Sequence, residues 1–301
     1  LPISLGVHSR IDETVDRISN GVHVGNVYVN RGITGAIVQR QPFGGWKKSS
    51  VGPGAKAGGP NYVAQLGTWV SDGVARQGAP IMPRVRDLLE ILSPLARNEA
   101  DREWLHASLR SDAFAWREEL GIEADPSSLR AESNVFRYRP QPQVVVRAEL
   151  GETSADGDVD AVADRTLAEV ARLVLGAHLV GSSVYLSWDV ALQPALTRLA
   201  ATGEGRQALV WLNRMGSVES SAQFVTWCRE RTRDGEPLRI RMVGADADGE
   251  TAAALAEAPA DDQGASITPL FGEVLSTGRR ELLTFLREQA ISRTLHRFGH
   301  V

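Results

Sequence analysis

The chain has 301 residues, of which 43% are hydrophobic and 23% charged, the balance of an ordinary globular protein with room for two domains. Its formal net charge of -4 argues against nucleic-acid binding, and no apolar run reaches the ~18–20 residues that a membrane-spanning helix needs. Cys228 is the single cysteine, which excludes an internal disulfide and a multi-cysteine metal site and indicates a reducing, cytoplasmic compartment.

The predicted elements begin with a strand at residues 1–9. Residues 11–22 place apolar side chains at the spacing of an amphipathic helix, and residues 25–30 form the next predicted strand. A glycine-rich loop then runs to about residue 60. Residues 61–71 are predicted to form an extended arm.

A helical region and an alternating region follow a Gly/Pro-rich linker at residues 73–83. Residues 84–120 are rich in helix formers, and we predict two or three helices with breaks near Pro94 and Asp112. From Val144 onward, strand-like and helix-like runs alternate, which predicts an α/β fold with a Rossmann-like parallel sheet and helices on both faces. The predicted strands are 144–148, 183–187, 208–212, 239–243 and 266–270, and the predicted helices are 159–175, 190–202, 217–231, 251–258 and 279–296.

The glycine-rich loop carries the strongest motif of the sequence. Residues 30–45 read NRGITGAIVQRQPFGG, and residues 56–62 add KAGGPNY. Glycines let a backbone turn sharply and approach a ligand because they lack a Cβ, and an aromatic side chain between such turns can form the wall of a pocket. Together these segments resemble the end of a glutamate-γ-semialdehyde (pyrroline-5-carboxylate) dehydrogenase, a family of the aldehyde dehydrogenase superfamily.

This resemblance implies a substrate anchor in the loop. In that family, backbone N–H groups ahead of the Pro-Phe-Gly-Gly run bind the carboxylate of the semialdehyde. The motif maps this role to Gly35 and Ala36, with Thr34 beside them, and places Phe43 against the aliphatic part of the substrate. Consecutive N–H groups in a tight turn can form an anion-binding nest, which agrees with the implied role. The alternative is an ordinary surface turn.

The groups that such an enzyme needs for oxidation are not recognisable in this sequence. The superfamily uses a cysteine thiolate, a glutamate general base and NAD, and its cysteine precedes the anchor loop. Cys228 follows the loop, and a lone cysteine beside apolar residues is usually a small core residue. We therefore predict no catalytic, cofactor-binding or metal-ligating residue in this chain, with NAD bound mainly by a part that precedes it.

The second half of the chain has its own resemblance. The runs ESNVFRYRP at residues 132–140 and LREQAISRTLHRFG at residues 286–299 are similar to segments of long proline utilization A proteins. These are bifunctional enzymes that join an FAD-dependent proline dehydrogenase to a semialdehyde dehydrogenase. Their last domain has a Rossmann-like fold, is not catalytic and covers the dehydrogenase site. Residues 293–295 depart from that pattern, where small or polar residues are expected. We predict that the tail is an amphipathic helix that docks in a groove and covers the dehydrogenase site.

The two resemblances predict four consecutive ranges. They are the end of an aldehyde dehydrogenase domain at 1–76, a helical linker at 77–133, a Rossmann-like non-catalytic domain at 134–285 and a tail motif at 286–301. The opening run Leu1-Pro2-Ile3 lacks an initiator Met and the basic segment of a signal peptide. We therefore expect a part of a longer polypeptide.

Two functions remain open at this point. The first is the C-terminal part of an NAD-dependent L-glutamate γ-semialdehyde dehydrogenase in proline catabolism to glutamate, inactive alone. Its partners would be glutamate γ-semialdehyde, the remainder of the same enzyme with its FAD, and further copies in a homo-oligomer. The second is a stand-alone, non-catalytic interaction or oligomerisation module that binds another subunit through residues 61–71 or the tail.

Overall fold

The computed structural model describes residues 3–50, 52–150, 158–233, 237–244, 249–257 and 267–296. Within these residues the strands are β1 Ser4–Val7, β2 Asn26–Val29, β3 Glu132–Pro140, β4 Gln143–Ala148, β5 Ser183–Asp189, β6 Gly216–Glu219, β7 Leu238–Val243, β8 Ile267–Leu270 and β9 Leu286–Thr294. The α-helices are α1 Asp12–Gly21, α2 Pro83–Leu92, α3 Glu99–Ala115, α4 Val159–Val180, α5 Gln193–Ala200, α6 Gly203–Leu212, α7 Ser221–Thr232, α8 Glu250–Ala256 and α9 Gly278–Glu281.

These elements form two compact units, each assembled from separated parts of the chain. Unit 1 comprises Leu1–Thr68, Leu120–Arg139 and Arg287–Val301, and unit 2 comprises Trp69–Glu119 and Pro140–Leu286. The units therefore divide the chain differently from the four consecutive ranges predicted above, which stay a prediction about domains. The predicted α/β class with parallel sheets is confirmed.

Unit 1 is built on a four-stranded sheet in the order β1-β2-β9-β3. The pairs β1–β2 and β2–β9 are parallel, with Ser4 opposite Asn26 and Asn26 opposite Ala290. Helix α1 connects β1 to β2 and turns Val15 into the core. That core is formed by buried valines, since β-branched side chains pack well on a pleated surface; they are Val7, Val15, Val24, Val27 and Val29.

Unit 2 holds a five-stranded sheet in the order β6-β5-β4-β7-β8, with every pair parallel. Numbered by chain position within the sheet, this order is 3-2-1-4-5, which agrees with the predicted Rossmann-like arrangement. The central strand β4 is a buried run at Val144, Val145 and Val146, as expected for a parallel strand covered on both faces. Helix α4 is nearly as deeply buried along most of its length.

Two predicted strand-like segments are different in the structure. Residues 208–212 lie in α6 and not in a strand, with Ala208 and Leu212 buried one helical turn apart while Val210 is 56% exposed. The strand that follows β5 is β6, a partly exposed edge strand. The predicted extended arm at 61–71 instead contains a short 3-10 turn at Val63–Leu66.

Two helix predictions are also corrected. Helix α3 passes through the predicted break at Asp112 and continues from Trp116 to Leu120 as a π-helix, because Asp112 is buried and paired with Arg172 rather than placed in a turn. The helix predicted at 279–296 is confined to α9, which ends at Glu281. Leu286–Thr294 instead forms strand β9 in the sheet of unit 1. Residues 297–301 of the predicted tail lie outside the described residues.

Candidate functional site

The loop that follows β2 contains the predicted anchor residues at the surface of unit 1. Thr34, Gly35 and Ala36 are all exposed. Gly35 has φ +78°, in the left-handed region that glycine adopts at little cost, and a Cβ built on it would meet no atom within 4 Å. The turn ends where the N–H of Gln41 donates to the carbonyl of Ile37 at 2.7 Å.

The backbone N–H groups of Gly35 and Ala36 face no acceptor within the described part of the chain. A pair of adjacent, accessible N–H groups beside a left-handed residue can bind an anion. This geometry is compatible with carboxylate binding, and the role of these residues stays a prediction.

Phe43 lies on the returning side of the same loop. Its N–H donates to the carbonyl of Ala57 at 3.0 Å, and its carbonyl accepts from the N–H of Ala57 at 2.9 Å, forming an isolated antiparallel bridge. The side chain is 39% exposed. A third backbone hydrogen bond of 3.1 Å, from the N–H of Gln39 to the carbonyl of Gly58, also joins the two sides of the loop. The structure therefore places all four predicted residues in one loop, whose two sides are joined by backbone hydrogen bonds.

The side chain of Lys56 stabilises this loop through hydrogen bonds. Its side chain is completely buried, and Nζ donates to Asn26 Oδ1 at 3.0 Å and to the carbonyl of Gly44. Asn26 also binds the loop through Pro42, whose carbonyl accepts from Nδ2 at 3.0 Å. Burial lowers the pKa of Lys56 to about 7, although the carboxylate of Glu288 acts in the opposite direction.

Glu288 on β9 connects the same loop to the sheet. Its Oε2 accepts from the N–H of Lys56 at 2.6 Å, and its Oε1 accepts from Asn61 Nδ2 at 2.7 Å. Its backbone carbonyl accepts from Trp46 Nε1 at 2.7 Å. Sequence reasoning missed this residue, because a glutamate in a segment interpreted as an amphipathic helix gives no signal of burial in a strand.

The cysteine lies in the core of unit 2, as predicted. Cys228 is fully buried with Val145, Phe224 and Leu255, and this burial raises the pKa of its thiol to about 12. A buried thiol with a high pKa is not a nucleophile at neutral pH. The prediction that Cys228 is a core residue is confirmed.

A crevice at the carboxyl ends of the unit 2 strands is the position where Rossmann folds bind dinucleotides. Arg147 is fully buried there and pairs with Glu149 at 3.0 Å and with Asp189. The lining is polar and rich in carboxylates: Glu149, Leu150, Asp189, Ala191, Ser221, Gly249, Glu250 and Thr251. Because these carboxylates would repel a pyrophosphate and Arg147 is already paired, the described residues that line this crevice do not fit NAD.

The described residues also bear on metal binding and on membrane insertion. No group of three or more His, Cys, Asp or Glu side chains in this part of the chain is arranged to hold a metal ion. None of the helices described above is both long and apolar enough to cross a membrane.

Comparison with known proteins agrees with the motifs. The aldehyde dehydrogenase family model matches residues 3–68. Bifunctional protein PutA of Salmonella typhimurium is 36% identical over 155 residues, which are 49% of this chain and 11% of that protein. The 1-pyrroline-5-carboxylate dehydrogenase of Bacillus thuringiensis is 54% identical over 50 residues, which are 17% of this chain and 9% of that protein.

A solved structure extends the similarity over the chain. Proline Utilization A from Corynebacterium freiburgense matches 99% of this chain and 23% of its own, with a TM-score of 0.60 and 36% identity. The chain spans only 11% of the length of the Salmonella relative. Residues 3–68 therefore match the aldehyde dehydrogenase family model, and the chain as a whole resembles proline utilization A proteins, as its motifs predicted.

Proposed function

We propose that this chain is the part of an L-glutamate γ-semialdehyde dehydrogenase that binds the carboxylate of the substrate. The enzyme would act in the cytoplasm, in the catabolism of proline to glutamate. The observation that supports this proposal is the turn at the exposed residues Gly35 and Ala36, whose N–H groups face no acceptor among the described residues and which lies in the segment that matches the aldehyde dehydrogenase family model. The named relatives include a 1-pyrroline-5-carboxylate dehydrogenase, which agrees with that substrate class.

The chemistry of the turn explains how it would select the substrate. Two N–H groups donate to the carboxylate, Thr34 lies next to them, and the half-exposed ring of Phe43 packs against the aliphatic chain. A hydrogen bond to a charged group contributes about 1.5–3 kcal/mol. An aldehyde without a carboxylate would lose this contribution, so the loop favours the semialdehyde over simple aldehydes.

The oxidation itself would use residues outside this sequence. NAD accepts a hydride in this class of reaction, and a thiolate and a general base act beside it. The crevice of unit 2 does not fit NAD, and Cys228 is buried, so we place the nucleophile and the NAD site in the remainder of the same enzyme. FAD would belong to its proline dehydrogenase half. We expect that this chain is inactive alone and that the complete enzyme is a homo-oligomer.

The test compares two aldehydes with the full-length enzyme that carries this sequence. We expect kcat/KM for the semialdehyde to exceed that for butanal, and Ala36→Pro to reduce this preference by roughly 10–150-fold, because proline removes one N–H donor. NAD affinity should stay within about twofold. An Ala36→Pro enzyme with an unchanged preference would remove the anchor role.

A second candidate function is an oligomerisation module. Val63 and Leu66, in the 3-10 turn after the loop, are each 76% exposed, and exposed apolar side chains in one short segment are typical of a contact surface. Sedimentation velocity of the purified chain and of a Val63→Ser/Leu66→Ser variant tests this function. A concentration-dependent dimer that dissociates in the variant would support it, and a monomer in both would remove it.

A further inference from the structure

We infer that Glu132 is a positioning residue for the anchor turn. Its carboxylate joins the two ends of the exposed stretch at residues 32–39, which contains Gly35 and Ala36. The inference rests on the function proposed above. Glu132 belongs to a segment almost a hundred positions away in the sequence, and the carboxylate-anchor motif does not include it.

Glu132 forms a salt bridge with an arginine at each end of the exposed stretch. Arg31, at the start of the exposed stretch, places Nη1 3.2 Å from Glu132 Oε2. Arg40, at its end, places Nη2 2.6 Å from Oε1. Each carboxylate oxygen thus holds one end of the stretch, and a single side chain fixes the separation of the two ends.

Glu132 is itself held in place. It begins β3, and Asn134 on the same strand donates from Nδ2 to Glu132 Oε2 at 3.2 Å. The N–H of Asn134 donates to Asp125 Oδ2 at 2.9 Å, and Gln41 Nε2 donates to Asn134 Oδ1 at 3.3 Å. These hydrogen bonds fix the carboxylate of Glu132 in position beside the loop, so its side chain does not rotate freely.

Burial and charge favour a bridge of this kind. The side chains of Glu132 and Arg31 are only 24% and 15% exposed. Partial burial raises the pKa of Glu132, but hydrogen bonds from Asn134 and Arg40 and the charges of Arg40 and Arg31 outweigh it, and the pKa lies below the ordinary value. The group is ionised at neutral pH. One carboxylate shared by two arginines is a network, which contributes more than an isolated surface pair.

The consequence for the anchor is preorganisation. Residues 32–39 are all exposed, so they have little packing to fix their conformation. Fixing both ends of such a loop leaves it fewer conformations in the free enzyme. Less conformational entropy is therefore lost when a carboxylate binds. Because Glu132 contacts Arg31, Arg40 and Gln41 and not Gly35 or Ala36, its loss should weaken substrate binding and leave the chemical step unchanged.

The experiment uses the full-length enzyme with Glu132→Gln, and with Glu123→Gln as a matched control. Glu123 lies in the same segment of unit 1 and pairs with Arg137 instead of the loop. We expect Glu132→Gln to raise KM for the semialdehyde roughly three- to tenfold with kcat within twofold, while KM for butanal changes by less than about twofold. Glu123→Gln should leave every constant within about twofold.

A second readout separates this inference from the proposed function. Amide hydrogen exchange in residues 32–41 should be faster in Glu132→Gln than in Glu123→Gln, with or without substrate. An equal KM change for both aldehydes, a fall in kcat alone, or the same change in both variants would overturn the positioning role. If the wild-type enzyme does not prefer the semialdehyde, the proposed function fails, and faster exchange in Glu132→Gln would still show that Glu132 orders the loop. Unchanged exchange would overturn that role as well.

Discussion

Gly35 is the residue on which the conformation of the anchor turn depends. Its φ of +78° lies where a residue with a Cβ is strained by roughly 1–2 kcal/mol. Valine at this position would either distort the turn or place two methyl groups where the carboxylate approaches. We expect Gly35→Val to raise KM for the semialdehyde at least tenfold, roughly the loss of one charged hydrogen bond, with NAD binding nearly unchanged. Steady-state kinetics of the full-length enzyme measures both.

Gly52 offers the matched control for backbone strain. It has φ +62°, and a Cβ built on it would also meet no atom within 4 Å. Gly52→Val should therefore carry a similar strain at a position outside residues 34–36, and its KM should stay close to that of the wild type. Similar increases in both variants would mean that strain, and not the lost anchor, explains the effect of Gly35→Val.

Lys56 makes the stability of the loop depend on pH. Burial lowers its pKa from 10.5 to about 7. Below pH 7 the folded and unfolded states both carry the ammonium, and the folded state bears the full cost of burying it. Between pH 7 and 10.5 the folded state releases the proton while the unfolded state keeps it, so the free energy of unfolding rises with pH. Above pH 10.5 this contribution is constant.

The measurement is the urea midpoint of the chain at several pH values from 7 to 10. We expect the difference between wild type and Lys56→Met to shift in favour of the wild type as pH rises, since methionine has no proton to release. Lys48→Met, at an exposed position of the same loop, is the control and should follow the wild type. A wild-type curve parallel to that of Lys56→Met would contradict the prediction.

At the scale of elements, β9 changes what the tail is expected to do. A docked helix could be removed with only the loss of a cover, but β9 lies between β2 and β3 and contributes Glu288 to the anchor loop. Deleting residues 287–301 should therefore abolish semialdehyde oxidation in the full-length enzyme and destabilise unit 1. The rate of NADH formation and a thermal melt measure these two effects.

The control for this deletion removes residues 297–301 and keeps the whole of β9. We expect this shorter deletion to retain most of the activity. Activity that survives the longer deletion would mean that β9 is dispensable, and the predicted role of the tail as a passive cover would regain support.

Strand β9 and helix α6 were predicted as the wrong type of element, and the two errors have a similar physical cause. In β9 the inward positions include Glu288 and Ser292, so polar residues hide the alternation that marks a strand, and Leu286 and Ala290 also fit helical spacing. In α6 the five-residue apolar run ends with Leu212, and a short apolar run fits either element. By contrast, β4 and α4 were predicted well because most of their buried residues are apolar.

The candidate site shows a similar limit at the level of residues. A motif could identify Thr34, Gly35, Ala36 and Phe43 because they are contiguous or nearly so in the sequence. The side chains that brace the loop come from distant segments and could not be found from spacing alone. Only the fold brings Glu288 to the backbone of Lys56, and the sequence holds no periodic signal for such a contact.

For the whole molecule, the buried thiol leads to a prediction about the purified chain. Its only cysteine has a pKa near 12 and lies in the core of unit 2, so no thiolate is available to attack an aldehyde. We expect no NAD-dependent turnover of semialdehyde by residues 1–301. Iodoacetamide should label Cys228 at pH 8 far more slowly in buffer than in urea. Turnover that disappears in Cys228→Ala, together with fast labelling in buffer, would contradict this expectation.

The sheet of unit 1 also has a consequence for biosynthesis. Strand β9 pairs with β2 across most of the chain, and Gln289 Nε2 donates to the carbonyl of Val24, 265 residues earlier. The five strands of unit 2 are all translated before β9. On the ribosome the β4–β8 sheet can therefore assemble while β1 and β2 still lack their central neighbour. The edge of β2 that pairs with β9 stays unpaired and accessible to chaperones for that interval, and a ribosome that stalls before Leu286 would release a chain in which only unit 2 can complete its sheet.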